Sequence, residues 1–235
     1  MDLKQTMAAL ERLGSEQTRK TWARHGATGD FFGVKIGDMK TLLKKVKGRQ
    51  DLAFELYATG NLDAMYFAGM IANGEAMSKK ELQAWAAAAR WHGISEYVLP
   101  WLTVENAHAR ELALAWMKHK KPHVAAAGWN TYSGLMAILP DEQLDLKEIE
   151  GLMALAEKQI AQAPNRVRYC MNSFVIVAGS AVKALLPKAK AAAKRIGTVE
   201  VDMRDTACKV PPALGMLAKI EAMGRIGKKR KTLRC

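Results

Sequence analysis

Hydrophobic residues recur along the chain at the three- and four-residue spacing of an amphipathic helix, and the pattern breaks briefly about every twenty residues from end to end. It predicts thirteen helices, over residues 3–13, 16–24, 38–46, 51–58, 62–73, 79–90, 95–102, 106–119, 122–138, 146–162, 165–177, 181–196 and 212–222. Several boundaries carry their own chemistry. Ser15 stands ahead of Glu16 with an oxygen that can accept a first-turn N–H, Ser78 and Glu81 have the spacing of a capping box, and Pro122 fits a first turn that needs no N–H. Gly14, Gly48, Gly60, Gly74 and Gly197 follow the last periodic residues, where a chain leaves a helix most easily. Residues 198–203, with Val199 and Val201 between charged neighbours, read as extended, but a lone strand has nothing to pair with and a loop is expected.

Nearly every predicted helix keeps one polar face. The central helices of a bundle would be apolar all round, so the pattern favours a stack of helix pairs in which each pair buries itself against its neighbours. No repeat is visible as sequence identity, which leaves degenerate repeats whose common feature is packing. The 235 residues, 49% of them hydrophobic, suffice for a full core, and no Pro-, Gly- or Ser-rich linker divides them. One domain is expected over 1–224, followed by a basic tail over 225–235. The start of the chain lacks a signal-peptide core, and the apolar run 170–182 is too short to span a bilayer and is interrupted by Asn172, Ser173 and Ser180. A cytoplasmic protein, with no membrane partner, is the expectation. Cys170, Cys208 and Cys235 are odd in number and widely spaced, which suits a reducing compartment.

Charge changes the picture. Residues 166–235 hold sixteen Lys/Arg against four Asp/Glu, or +12 of the formal +13, whereas the first 165 residues hold twenty against nineteen. The chain finishes in Gly227-Lys-Lys-Arg-Lys-Thr-Leu-Arg-Cys235. A basic zone attracts polyanions by neutralising phosphates and releasing their counterions, so nucleic acid is the first partner to consider. A solvated terminus is the alternative reading of the final run. The excess also extends into the helix predicted over 181–196, through Lys183, Lys188, Lys190, Lys194 and Arg195.

Other chemistry is sparse. His119 and His123 are four apart without an acidic or Cys partner nearby, and no phosphate loop or dinucleotide fingerprint occurs, so neither metal nor cofactor is expected. The segment Trp91-His-Gly-Ile-Ser-Glu96-Tyr sets a carboxylate five residues from an indole, beside Gly93, an arrangement able to face a cationic ligand or a base. Core packing is the competing role for each tryptophan. Arg166 and Arg168 open a helix, where a cation opposes the helix dipole unless an anion is present; they suit phosphate contact or a salt bridge to a neighbouring helix. Asn172, in an apolar run, needs hydrogen-bond partners and is either a packing specifier or a ligand contact. Arg19, Lys20 and Arg24 crowd one short helix, and Lys209 lies in the irregular segment 202–211 with Cys208, which reads as a structural loop bracing the tail.

The chain resembles the DNA alkylation repair protein family, the AlkD-like group with HEAT-like repeats. The strings that carry the resemblance are Thr18-Arg-Lys-Thr with Arg24-His-Gly-Ala27, Phe32-Gly-Val-Lys-Ile-Gly-Asp38, Ala58-Thr-Gly-Asn-Leu-Asp-Ala-Met65, Gln162-Ala-Pro-Asn-Arg-Val-Arg-Tyr169 with Met171-Asn172, Val201-Asp-Met203, Asp205-Thr-Ala-Cys-Lys-Val-Pro211 and Ile226-Gly-Lys-Lys-Arg-Lys-Thr232. It implies an all-α, right-handed superhelical stack of degenerate HEAT-like helix pairs with a basic concave side for DNA. In characterised relatives an acidic residue four positions after a tryptophan, a second tryptophan and an arginine line the cleft and excise cationic alkylated purines. Here the first tryptophan falls on Trp91, the acidic position on Ser95 with Glu96 one step further, the second tryptophan near Asn172 and the arginine near Ala126. The resemblance thus implies a degenerate catalytic set, with Trp91 and Glu96 the candidates for any glycosylase chemistry. Arg19, Lys20, Arg24, Arg166, Arg168, Asn172, Lys209, Lys228, Lys229, Arg230 and Lys231 are the candidates for holding duplex or branched DNA, and a monomer is expected. A non-catalytic binder of structured DNA or RNA, and a helical-repeat scaffold for another protein, remain alternatives.

Overall fold

The computed structural model describes residues 1–234; Cys235, the last residue of the expected tail, lies outside them. Thirteen α-helices follow in order among the described residues: α1 Leu3–Leu13, α2 Glu16–Arg24, α3 Ile36–Leu43, α4 Gln50–Ala58, α5 Leu62–Ile71, α6 Lys79–Ala88, α7 Leu99–Thr103, α8 Ala109–Met117, α9 Pro122–Ile138, α10 Leu146–Gln159, α11 Asn165–Ala181, α12 Leu186–Ile196 and α13 Ala213–Ala222. A π-helical turn, Ile94–Val98, leads into α7, and short 3₁₀ turns precede α10 and α12. The described residues contain no strand, only a single bridge between Gly14 and Val34. No single helix among them is long and apolar enough to cross a membrane.

The helix starts follow the expected chemistry. Ser15 accepts from the Thr18 N–H, and Ser78 with Glu81 completes a capping box. A second capping box, Asp2 with Gln5, opens α1. The helix expected over 181–196 instead breaks at Val182, and its α-helical part resumes at Leu186 with Pro187 in the first turn, at 115° to α11. Proline has no N–H to continue a helix and tolerates only its first turn.

The pairing is that of a stack. α4 packs on α5, α6 on α7, α8 on α9, α10 on α11 and α12 on α13; the odd-numbered members also touch in succession, α5 to the π turn, α7 to α9, α9 to α11 and α11 to α13. The odd helices therefore form one row, and the even helices flank it. The core runs through the stack as two large apolar clusters, one around Phe67, Leu82 and Leu99 and the other around Trp129 and Phe174.

Near the start of the stack, Asp63 is fully buried and organises a loop. Its carboxylate accepts from the Phe32, Gly33 and Val34 N–H groups at 2.6, 3.0 and 2.7 Å. Gly33 has φ +78, and a Cβ there would meet the Arg19 backbone at 2.5 Å. The strings around Phe32 and Asp63 are thus a backbone fit between two parts of the fold.

Candidate nucleic-acid interface

The π turn Ile94–Val98 sets the geometry of the site. Its wider turn, closed by Leu99 N–H donating to Ile94 O, places Ser95 and Glu96 side by side in the wall of the odd-helix row, both buried. Glu96 is 3% exposed and bonded in bidentate fashion to Arg166 of α11, with Nε donating to Oε1 at 2.7 Å and a second guanidinium nitrogen donating to Oε2. The Arg166 guanidinium also lies 4.5 Å from the ring centroid of Tyr169. Burial outweighs the pull of Arg166 and lifts the Glu96 carboxyl above its ordinary value, and burial lifts the adjacent Cys170 thiol well above its own. The pair as a unit presents no net charge to the cleft.

Trp91 stands beside this pair, stacked on Trp22 of α2 at 4.6 Å between centroids, with its indole N–H donating to His25 O at 3.2 Å. Gly93 lies so close that a Cβ would come within 2.4 Å of the Trp91 ring. Trp91 is therefore braced by Trp22 and by the backbone at Gly93. His92, next to it, is held down to about 4 by burial and by the nearby Arg166, His25 and Arg204, so it is neutral at physiological pH.

Two cavities of about 690 and 750 Å³ adjoin at Glu96, Tyr97 and Tyr169, which line both, and together they make up the cleft. Arg90, Arg166, Arg204 and Lys209 line the first, and Arg225, Lys228, Lys229 and Arg230 the second; the lining carboxylates are Glu96 and Asp202. Eight cations against two carboxylates leave the cleft at +6. Apart from Arg166 and Lys229, these cations have no carboxylate within ion-pair distance among the described residues.

The irregular segment before α13 helps to build this wall. Asn165 donates to Asp202 O at 2.9 Å and accepts from its N–H at 2.7 Å, and Asn172 donates to Pro211 O at 2.9 Å. The tether holds Arg204 at φ +60, the left-handed region that side chains other than glycine rarely adopt, with its N–H donating to Asp202 Oδ1 at 2.8 Å. Arg204 thereby reaches the cleft beside Gly26.

The structure gathers some of the expected site residues and separates others. Trp91, Glu96, Arg166, Lys209, Lys228, Lys229 and Arg230 line the cleft. Arg166 takes the salt bridge to a neighbouring element. Lys229 donates to Met136 O at 2.8 Å and meets Asp141 at 2.7 Å, so its charge is already engaged. Asn172 is buried and spent on Pro211, as a packing specifier. Arg168 lines neither cavity and faces an adjoining hollow with residues 198–203 and 208–210. Arg19, Lys20 and Arg24 stay on α2 outside the lining, with Arg19 over Phe31 and Lys20 at 3.8 Å from Glu16, while the end of the helix contributes His25 and Gly26. Lys231 is exposed beyond the lining. Ala126, where the resemblance places an arginine, is fully buried. Sequence reasoning missed Arg90, Arg204 and Arg225; the glycine-poor irregular segment with an Asp two residues before Arg204 was the available signal.

Residues 6–192 match the family described as DNA alkylation repair enzyme. Uncharacterized proteins of Listeria innocua and Listeria monocytogenes are each 30% identical over 216 residues, covering 89% of this chain and 93% of theirs. A solved structure described as "a new family of proteins related to the HEAT-like repeat DNA glycosylases with affinity for branched DNA structures" superposes with a TM-score of 0.93 at 36% identity, covering both chains completely. The all-α stack of helix pairs is thus a HEAT-like repeat fold, and the chain belongs to the DNA alkylation repair enzyme family.

Proposed function

We propose that this protein binds branched DNA in the basic cleft and does not release alkylated bases. The observation that carries the reading is the state of Glu96. Expelling a cationic purine requires a carboxylate free to stabilise positive charge building on the sugar. Here both oxygens of Glu96, the carboxylate nearest to Trp91 in sequence and lining the same cavity, are occupied by the chain's own Arg166. What remains is a cleft with six cations that no acid among the described residues pairs, suited to phosphates on more than one strand. The affinity for branched DNA described for the similar solved structure supports the same substrate class.

The test has two arms. Titrated against a four-way junction and a linear duplex of equal length, the protein should prefer the junction, with affinity that falls steeply as salt rises. Incubated with DNA carrying N3- and N7-methylpurines, it should release no base. Base release that disappears in Glu96→Gln would restore the glycosylase reading, and binding indifferent to salt would remove the cleft from DNA recognition.

A further inference from the structure

Residues 225–234 do not project from the fold. They run back from α13 across the ends of the odd helices, and each step is fixed by a bond. Gly227 N–H donates to Ser180 O at 2.8 Å at the end of α11, and Arg230 N–H donates to Ala137 O at 2.7 Å at the end of α9. Leu233 packs against Val104 and Leu135, so close to α9 that a Cβ on Gly134 would come within 2.4 Å of it. The run is clamped by Arg234. Its guanidinium donates to Glu105 Oε1 at 2.6 Å and Oε2 at 2.5 Å, to Gly69 O at 3.2 Å and to Ala72 O at 2.8 Å. Glu105 is itself held by the Gly74 N–H at 3.2 Å. A cation at the carbonyl end of a helix satisfies orphan acceptors and meets the negative end of the dipole.

Among the basic residues of this run, the clamp separates two jobs. Lys229 and Arg234 are spent on carbonyls and carboxylates, whereas Lys228 and Arg230, one step to either side of Lys229, are exposed, have no acidic partner among the described residues and line the cleft. We infer that Arg234 is a positioning residue for DNA binding: by tying the strap to α5 and Glu105, it holds Lys228 and Arg230 at fixed points in the cleft. Without the clamp the run is held only by the bonds at Gly227, Lys229 and Arg230, and a more mobile cation contributes less to a fixed set of phosphate contacts because ordering it opposes binding.

The inference rests on the proposed DNA-binding role, and the experiment separates the two. Junction binding is measured against salt for the wild type, Arg234→Ala, Arg234→Lys, Lys228→Ala/Arg230→Ala, and the combination of that pair with Arg234→Ala. Trypsin cleavage within residues 228–231 is followed in parallel on the free proteins. Arg234→Ala should expose the strap to trypsin, weaken junction binding by about tenfold and flatten the salt dependence by about two, one for each cation released. Arg234→Lys, which keeps the charge and part of the bonding, should restore a share of both. On the Lys228→Ala/Arg230→Ala background, removing Arg234 should change binding no further. A strap still resistant to trypsin in Arg234→Ala, or a full additional loss in the combined variant, would overturn the positioning role. A wild type without junction affinity would defeat the DNA-binding role first, and this one with it.

Discussion

Two groups of cations drawn from the same basic stretch, 166–235, meet opposite fates. On α12, Lys188 pairs with Glu150 at 2.5 Å, Lys190 with Glu221 at 2.5 Å and Arg195 with Glu157 at 2.6 Å, so acids of α10 and α13 cancel most of what made that helix look like a polyanion surface. In the cleft, Arg90, Arg204, Lys209, Arg225, Lys228 and Arg230 have no such partners among the described residues. Net charge counts both groups alike. Only the unpaired group can exchange counterions for phosphates, which makes pairing, rather than charge, the property that locates the interface.

The sharpest way to disturb this contrast lies at Arg166, the one cleft arginine that is paired. Arg166→Ala would leave the Glu96 carboxylate buried without a partner, and a loss of about 3–5 kcal/mol is expected in urea unfolding. Arg195→Ala, which breaks a pair on the exposed outer face, should move the midpoint little.

The interior of the cleft is also readable at His92, through burial first and then through Arg166, His25 and Arg204. In the unfolded chain this imidazole takes up a proton near its ordinary 6.5, but in the fold only near about 4. Below about pH 6.5 the unfolded state therefore binds the proton first, and stability should fall as pH drops from about 6.5 to about 4, by at most about 3 kcal/mol. Histidine NMR titration should find His92 moving upward in Arg204→Ala and unchanged in Lys188→Ala, because only Arg204 belongs to its surroundings. A smaller effect is expected where the outer pairs are removed: Lys188→Ala and Lys190→Ala should each shift stability by less than about 1 kcal/mol.

Helix existence and the stacked architecture were legible because apolar spacing and caps such as Ser78 with Glu81 act locally. The bend after α11 was legible too, in Pro187, but periodicity alone carried the reading through it. The π turn was not: it widens the helical turn over Ile94–Val98 and so changes which side chain faces the cleft without altering composition. For the site, Trp91, Glu96 and Arg166 were visible as chemistry, yet the Glu96–Arg166 bond joins residues seventy apart and could only emerge from packing. The strap combined both problems. Its cations were obvious, while the commitment of Lys229 and Arg234 to helix ends depends on carbonyls contributed by α5 and α9.

The contrast between paired and unpaired cations can be tested in a single comparison: the salt dependence of four-way-junction binding for Arg204→Ala/Lys209→Ala against Lys188→Ala/Lys190→Ala. The cleft variant should bind more weakly with a slope shallower by about two, and the outer variant should follow the wild type. Equal losses in both variants, or a cleft variant indistinguishable from wild type, would contradict it.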